Sequence, residues 1–179
     1  MYNRHERTVG SFKTSNCIIV TDPCYNYDER QIIDNALPGE WIANVVISDE
    51  GSWGKRIAEL IVMNVDSHHD GYEWERSKIE VGVDSGQAGF FDSFMYPRGD
   101  TGEYGDTSTF YGKVCNMTVT EQGHGTAGVL SFGVASSSGF GDGGYDLYTA
   151  TQDGKVVAAK IVFIGDEEDY EDDNYEDED

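Results

Sequence analysis

Short apolar runs, many of them alternating with polar residues, are the feature that most limits how this chain can fold. Glycine, aspartate, asparagine or serine interrupts these runs about every ten residues, which is the spacing typical of strands in antiparallel folds. The 22 glycines against 3 prolines supply the tight turns that such a fold requires. The pattern therefore predicts a mainly β protein, an antiparallel β-sandwich or open barrel with one or two short helices.

The same pattern assigns individual elements. Nine strands are predicted, at residues 8–13, 17–21, 40–48, 56–65, 78–83, 110–120, 125–135, 145–151 and 155–164. Asp153 and Gly154 separate the last two, and both tolerate the positive φ of a two-residue hairpin turn. Short helices are predicted at 29–37, capped by Asp28, and at 88–95, capped by Ser85. The polar stretch 96–108 predicts a surface loop, and ordered loops of this length are often functional.

Charge divides the chain into two parts. The chain has 34 Asp and Glu against 12 Lys and Arg, a formal net charge of −22. Residues 166–179 hold eleven of these acids and no Lys or Arg, which leaves −11 on the rest. A segment of this kind repels itself and has little apolar surface to bury. The sequence therefore predicts a single β-rich domain at 1–164 and a disordered acidic tail at 165–179.

Composition also limits the partners and the location of the protein. Nucleic acid and anionic membranes are disfavoured as direct ligands, because phosphate binding needs clustered Lys and Arg. No run is long and apolar enough for a membrane helix or a secretion signal. The cysteines Cys17, Cys24 and Cys115 are odd in number and lack a C-x-x-C spacing, which favours a reducing compartment over disulfides or zinc. We expect a cytoplasmic protein whose partner is a protein with a basic surface.

Three short motifs are candidates for a ligand site, a metal site or a nucleophile. Residues 139–144 fit G-x-G-x-x-G, but a strand and not a helix is predicted to follow, which favours a turn between strands over a ligand site. His68, His69 and Asp70 are adjacent, so their side chains diverge, and a polar loop is favoured over a metal site. Cys24 would need a base supplied by the tertiary structure to act as a nucleophile. No catalytic residue, metal ligand or cofactor is predicted from these motifs.

Three further motifs resemble a family of bacterial and phage proteins described as a domain of unknown function. They are 18–25, which includes Asp22-Pro23-Cys24-Tyr25; 83–87 (Val83-Asp84-Ser85-Gly86-Gln87) with Phe91-Asp92; and 139–145, followed by 154–163. The resemblance covers 17–164 and implies a bacterial or phage source, a location in the bacterial host cytosol and a shared overall shape, without an activity. The three aspartate-containing turns are either structural turns or the rim of one pocket.

Two sets of candidate residues follow. The candidate pocket or turn cluster comprises Asp22, Cys24, Asp84, Gln87, Asp142 and Tyr145. The candidate partner-binding residues are Tyr104, Asp106, Tyr170 and Tyr175, where tyrosines lie among acids that would steer a cationic partner.

These candidates correspond to functions of different classes. The favoured function is a non-catalytic acidic binding protein, for example a phage-encoded inhibitor of a host defence or nucleic-acid-handling protein. One alternative is a small-molecule-binding protein or hydrolase that uses the aspartate turns and Cys24. A second alternative is a structural component of a virion.

Overall fold

Two antiparallel sheets form the molecule, in a computed structural model that describes residues 3–119 and 126–166. The first sheet has six strands in the order β1-β4-β5-β11-β10-β6, and the second has five in the order β3-β2-β7-β9-β8. The strands of the first sheet are β1 (Arg4–Thr14), β4 (Gly39–Asp49), β5 (Lys55–Asn64), β6 (Glu75–Val83), β10 (Gly143–Gln152) and β11 (Lys155–Val162). Those of the second are β2 (Ile18–Thr21), β3 (Gln31–Ile33), β7 (Gln87–Asp92), β8 (Ala127–Leu130) and β9 (Gly133–Ser137). The predicted mainly β sandwich is confirmed.

The main hydrophobic core lies between the two sheets. Alternate residues of the six-stranded sheet point inward, among them Trp41, Leu60 and Ile161, and they meet Ile18 and Phe90 of the five-stranded sheet. All five side chains are fully buried. Side chains of a strand alternate between the two faces, so every second residue of the six-stranded sheet points away from this core.

A smaller core covers the other face of the five-stranded sheet. Helix α1 (Phe110–Thr118) packs there, with Val114 against Ile19 and Phe91, and Tyr96 joins the same cluster. The five-stranded sheet is therefore buried on both faces, whereas the six-stranded sheet is buried on one. The candidate site lies where α1 meets the ends of β2 and β7.

Three predicted elements were wrong in type. The predicted strand at 110–120 is helix α1: the Thr109 hydroxyl accepts a hydrogen bond from Gly112 N, and Val114, Cys115 and Thr118 share its buried face at helical spacing. The predicted helix at 88–95 is strand β7 over residues 87–92, which lies between the two cores; every residue of it is buried, so the period of two is lost.

The predicted helix at 29–37 is a 3-10 turn at Tyr27–Glu29 followed by β3. Pairing of Ile33 with Ile18 of β2 overrides the local helix propensity. The predicted strand at 125–135 is two strands, β8 and β9, with a turn between them. The hairpin at Asp153-Gly154 is confirmed: it joins β10 to β11, and both residues have positive φ, 50° and 77°.

Candidate functional site

Asp22 is the centre of a buried polar cluster at the end of β2. Its carboxylate is fully buried and accepts hydrogen bonds from the backbone N–H groups of Cys24 (2.9 Å), Asp84 (2.9 Å) and Ser85 (2.7 Å). The Ser85 hydroxyl donates a fourth, at 2.6 Å. Four donors compensate the desolvation of a buried charge. Asp22 thus joins the loop after β2 to the turn between β6 and β7.

Gln87 extends this cluster to helix α1. Its Nε2 donates to Ser85 Oγ at 3.1 Å and lies 3.3 Å from Cys115 Sγ, and its Oε1 accepts from Thr118 Oγ1 at 2.5 Å. Gln87, Cys115 and Thr118 are all buried. A continuous chain of polar contacts therefore runs from Asp22 to the inner face of the helix.

Two tyrosines close the cluster towards the surface. Tyr25 donates its phenolic hydrogen to Asp84 Oδ2 at 2.6 Å, and Tyr96 donates to the carbonyl of Tyr25 at 2.6 Å. The hydrogen bond to Asp84 is the main reason that the pKa of Tyr25 lies above its usual range. The loop after β2 is thereby held by Asp84 on one side and by Tyr96 on the other.

The environment of Cys24 favours a neutral thiol. Burial, then the neighbouring Asp22 carboxylate, raises the pKa of Cys24 to about 12. Reactive cysteines have the opposite environment, with a cation or a helix N-terminus that lowers the pKa. His5 lies on β1, and His68 and His69 lie in the 65–74 loop, where they contact Gln152 and Asn64. The hydrogen bonds of the cluster therefore stabilise the fold, and its environment does not favour the thiolate form of Cys24.

Four of the six predicted cluster residues meet here, namely Asp22, Cys24, Asp84 and Gln87. Asp142 belongs to the next turn, between β9 and β10, where it is exposed, and Tyr145 lies near the start of β10. The Tyr145 hydroxyl lies 2.6 Å from the carbonyl oxygen of Gly141 and 3.2 Å from that of Ser138, within donating distance of both. The two turns touch through a hydrogen bond from Ser138 N to the carbonyl of Gly86, at 3.0 Å. They are neighbours with separate hydrogen-bond networks.

Sequence reasoning missed the part of the cluster that α1 contributes, namely Cys115 and Thr118. A strand at 110–120 would turn Cys115 away from Val114 and Thr118. Burial, then the neighbouring Cys115, raises the pKa of Tyr111, also on α1, to about 12. The Thr109 cap and the helical spacing of 114, 115 and 118 were the signals that could have identified the helix.

A groove of about 410 Å³ lies between α1 and the loop that precedes it. Its lining is Tyr104, Gly105, Thr107, Gly112, Cys115, Asn116 and Val119. The loop is held against the helix by a hydrogen bond from Tyr111 N to the carbonyl of Thr101, at 2.7 Å. Cys115 is buried and forms the floor, so the groove and the polar cluster share one residue.

Exposed acids border this groove beside an exposed tyrosine. Tyr104 is 70% exposed, and Glu103 and Asp106 are exposed next to it. Hydrogen bonds from the hydroxyl and N–H of Ser108 lower the pKa of Asp106, so this carboxylate stays charged. No Lys or Arg of residues 3–119 and 126–166 pairs with either carboxylate. The other two predicted partner-binding residues, Tyr170 and Tyr175, and the predicted tail lie outside the described residues.

The described part of the chain contains neither a metal-binding group of side chains nor a membrane-spanning helix. Within the residues that the structure describes, no three His, Cys, Asp or Glu side chains are grouped so that they could hold a metal ion. No helix of that part is long and apolar enough to cross a membrane.

Comparison of the chain with protein-family models, curated proteins and solved structures finds no match. The resemblance to a bacterial and phage family therefore stays a prediction. Interpretation of the site depends on its geometry and charge.

Proposed function

We propose that the protein is a non-catalytic acidic binding protein whose partner presents a basic surface. The groove between α1 and the loop at 97–109 is the contact site. The observation that carries this proposal is Tyr104, 70% exposed at the groove edge beside the exposed Glu103 and Asp106. A tyrosine provides contact area at low entropic cost, and unpaired carboxylates attract lysine and arginine.

The charge of the described residues supports the same function. They contain 23 Asp and Glu against all 12 Lys and Arg of the chain, so the described residues are acidic by themselves. A surface of one sign accelerates encounters with a partner of the other sign. The proposed partner is a host defence or nucleic-acid-handling protein that a phage-encoded inhibitor would block. Carboxylates of the inhibitor would take the place of nucleic-acid phosphates.

A small-molecule-binding function is the second candidate. It is favoured by the convergence of Asp22, Cys24, Asp84 and Gln87, and by a groove volume within the range of about 300–1,000 Å³ found for ligand sites. Against hydrolysis, Cys24 has a raised pKa, and the acceptor positions of Asp22 are occupied by four donors. A ligand of this type would lie over Cys115 and Asn116, and its affinity would depend little on salt.

Affinity capture tests the first function. The immobilised full chain is exposed to a bacterial lysate at low and at high salt, and bound proteins are identified and quantified by mass spectrometry. We expect one stoichiometric partner with a basic surface, present at low salt and reduced at high salt. Tyr104→Ser should reduce its capture, because the exposed ring is the largest apolar contact at the groove edge. Absence of a stoichiometric partner at either salt concentration would contradict the proposal.

A further inference from the structure

The outward face of the six-stranded sheet carries apolar side chains where a solvated face usually carries polar ones. On β4 the core residues Trp41, Ala43 and Val45 alternate with Ile42, Asn44 and Val46. On β5 the core residues Leu60 and Val62 alternate with Glu59, Ile61 and Met63. The alternation directs the second set of each strand away from the sandwich.

Strand register makes these side chains neighbours. Ile42 lies opposite Met63, Asn44 opposite Ile61, and Val46 opposite Glu59, which in turn lies opposite Val162 of β11. We call the five apolar residues of this group the outer strip: Ile42, Val46, Ile61, Met63 and Val162. Each is half-buried, as expected for a residue that its strand neighbours cover on two sides.

The charged residues beside the outer strip have partners within the sheet. Lys160, opposite Ile61, lies 3.8 Å from Glu59, and its Nζ lies 4.8 Å from the centre of the Trp74 ring. Glu6, at the border, accepts a hydrogen bond from Asn44 Nδ2 at 2.8 Å. The centre of this face is thus neutral, whereas the described residues together carry −11.

We propose that the outer strip binds a second copy of this chain, sheet against sheet, to form a homodimer. Antiparallel sheets commonly stack face to face about 10 Å apart. The outer strip lies on β4, β5 and β11, and these strands together with the neighbouring β10 present on the order of 600 Å² per copy, from about ten residues per strand, a strand spacing of about 4.8 Å and a rise of about 3.3 Å. Two copies would bury about 1,200 Å², which exceeds the roughly 1,000 Å² expected of a specific interface.

A second copy fits the outer strip better than the basic partner proposed for the groove. Among the residues that the structure describes, the charged groups at its centre are Glu59 and Lys160, which pair with each other and leave no net charge there for a cation. Two acidic molecules can approach at a neutral patch without placing like charges in contact.

Sedimentation velocity of the full chain tests the dimer from micromolar to submillimolar concentration. Copies of charge −22 repel each other, and salt shortens the screening length from about 30 Å at 0.01 M to about 3 Å at 1 M. The dimer fraction should therefore rise with salt.

Ile61→Lys should weaken the dimer by about tenfold or more, since it buries an unpaired charge. Ser131→Lys makes the same charge change at an exposed position between β8 and β9, and should leave a dimer.

Ile61→Thr keeps a β-branched side chain at this position, and covers the case in which Ile61→Lys fails to fold. It should weaken the dimer in the same direction. Three results would overturn the proposal: a monomer at every concentration and both salt levels, a dimer that neither substitution of Ile61 weakens, or a dimer that salt dissociates. None of these results bears on binding at the groove, so the two proposals can fail separately.

Discussion

At the scale of single residues, Asp22 illustrates how much a sequence motif can predict. The motifs around Asp22 and Asp84 indicated turns, and the structure brings these turns together because one carboxylate accepts hydrogen bonds from both. Three of its four donors could not be read from the sequence, since Asp84 and Ser85 come from a segment more than sixty residues away. Asp142 has the same appearance in the sequence but belongs to a separate turn.

Replacement of Asp22 should therefore cost far more stability than replacement of Asp142. Asp22→Ala leaves three N–H groups and one hydroxyl without their acceptor, and we expect a loss of about 3–5 kcal/mol. Asp142→Ala removes an exposed carboxylate and should change stability by less than about 0.5 kcal/mol. Urea unfolding of both variants measures the difference. Equal losses in the two variants would show that the buried hydrogen bonds contribute little.

Cys24 should react slowly with alkylating reagents. A pKa of about 12 means that its thiolate fraction keeps rising with pH well beyond 9, the ordinary value for a thiol, and is very small near neutrality. Alkylation by iodoacetamide at about pH 8, followed by mass spectrometry, should be at least about a hundredfold slower in the folded chain than in urea. A fast reaction that reaches its plateau near pH 7 would instead indicate an activated nucleophile.

At the scale of elements, the sequence predicted strands more reliably than helices. Strands of the six-stranded sheet either alternate or form apolar runs bounded by turn residues, and both patterns predict strands. The five-stranded sheet is covered on both faces, and its strand β7 therefore resembles a buried helix. Helix α1 contains β-branched and aromatic residues, and only its cap and burial spacing distinguish it from a strand. The contribution of α1 to the candidate cluster, Cys115 and Thr118, was missed for this one reason.

Close contact between α1 and its preceding loop should depend on Gly112. A Cβ at this position would overlap the carbonyl of Asp106, so Gly112→Ala should push the loop away from the helix and cost about 1–3 kcal/mol. Gly99→Ala is the matched control, because a Cβ there meets open space and the φ of Gly99 is ordinary. Chymotrypsin should cleave after Tyr104 faster in Gly112→Ala than in the control. Equal cleavage rates would mean that the loop is not held by this contact.

At the scale of the whole molecule, net charge has two opposite consequences. It attracts a basic partner to a border of unpaired carboxylates, and it opposes contact between copies of the chain. Salt therefore separates the two proposed interactions, because it should weaken the first and strengthen the second. The sequence predicted the acidity, but the positions of unpaired acids and of the neutral outer strip required the strand register and the placement of the loop.

The most direct measurement is the dissociation constant of the captured partner, once purified, for three forms of the full chain at low and high salt. These are the wild type, Glu103→Gln with Asp106→Asn, and the charge-matched control Asp34→Asn with Glu73→Gln, whose residues are exposed elsewhere. We expect the groove pair to weaken binding by about tenfold at low salt and to reduce its salt dependence, with the control within about twofold of the wild type. Equal effects of both pairs would contradict a contact at the groove, because charge would then act only through the molecule as a whole.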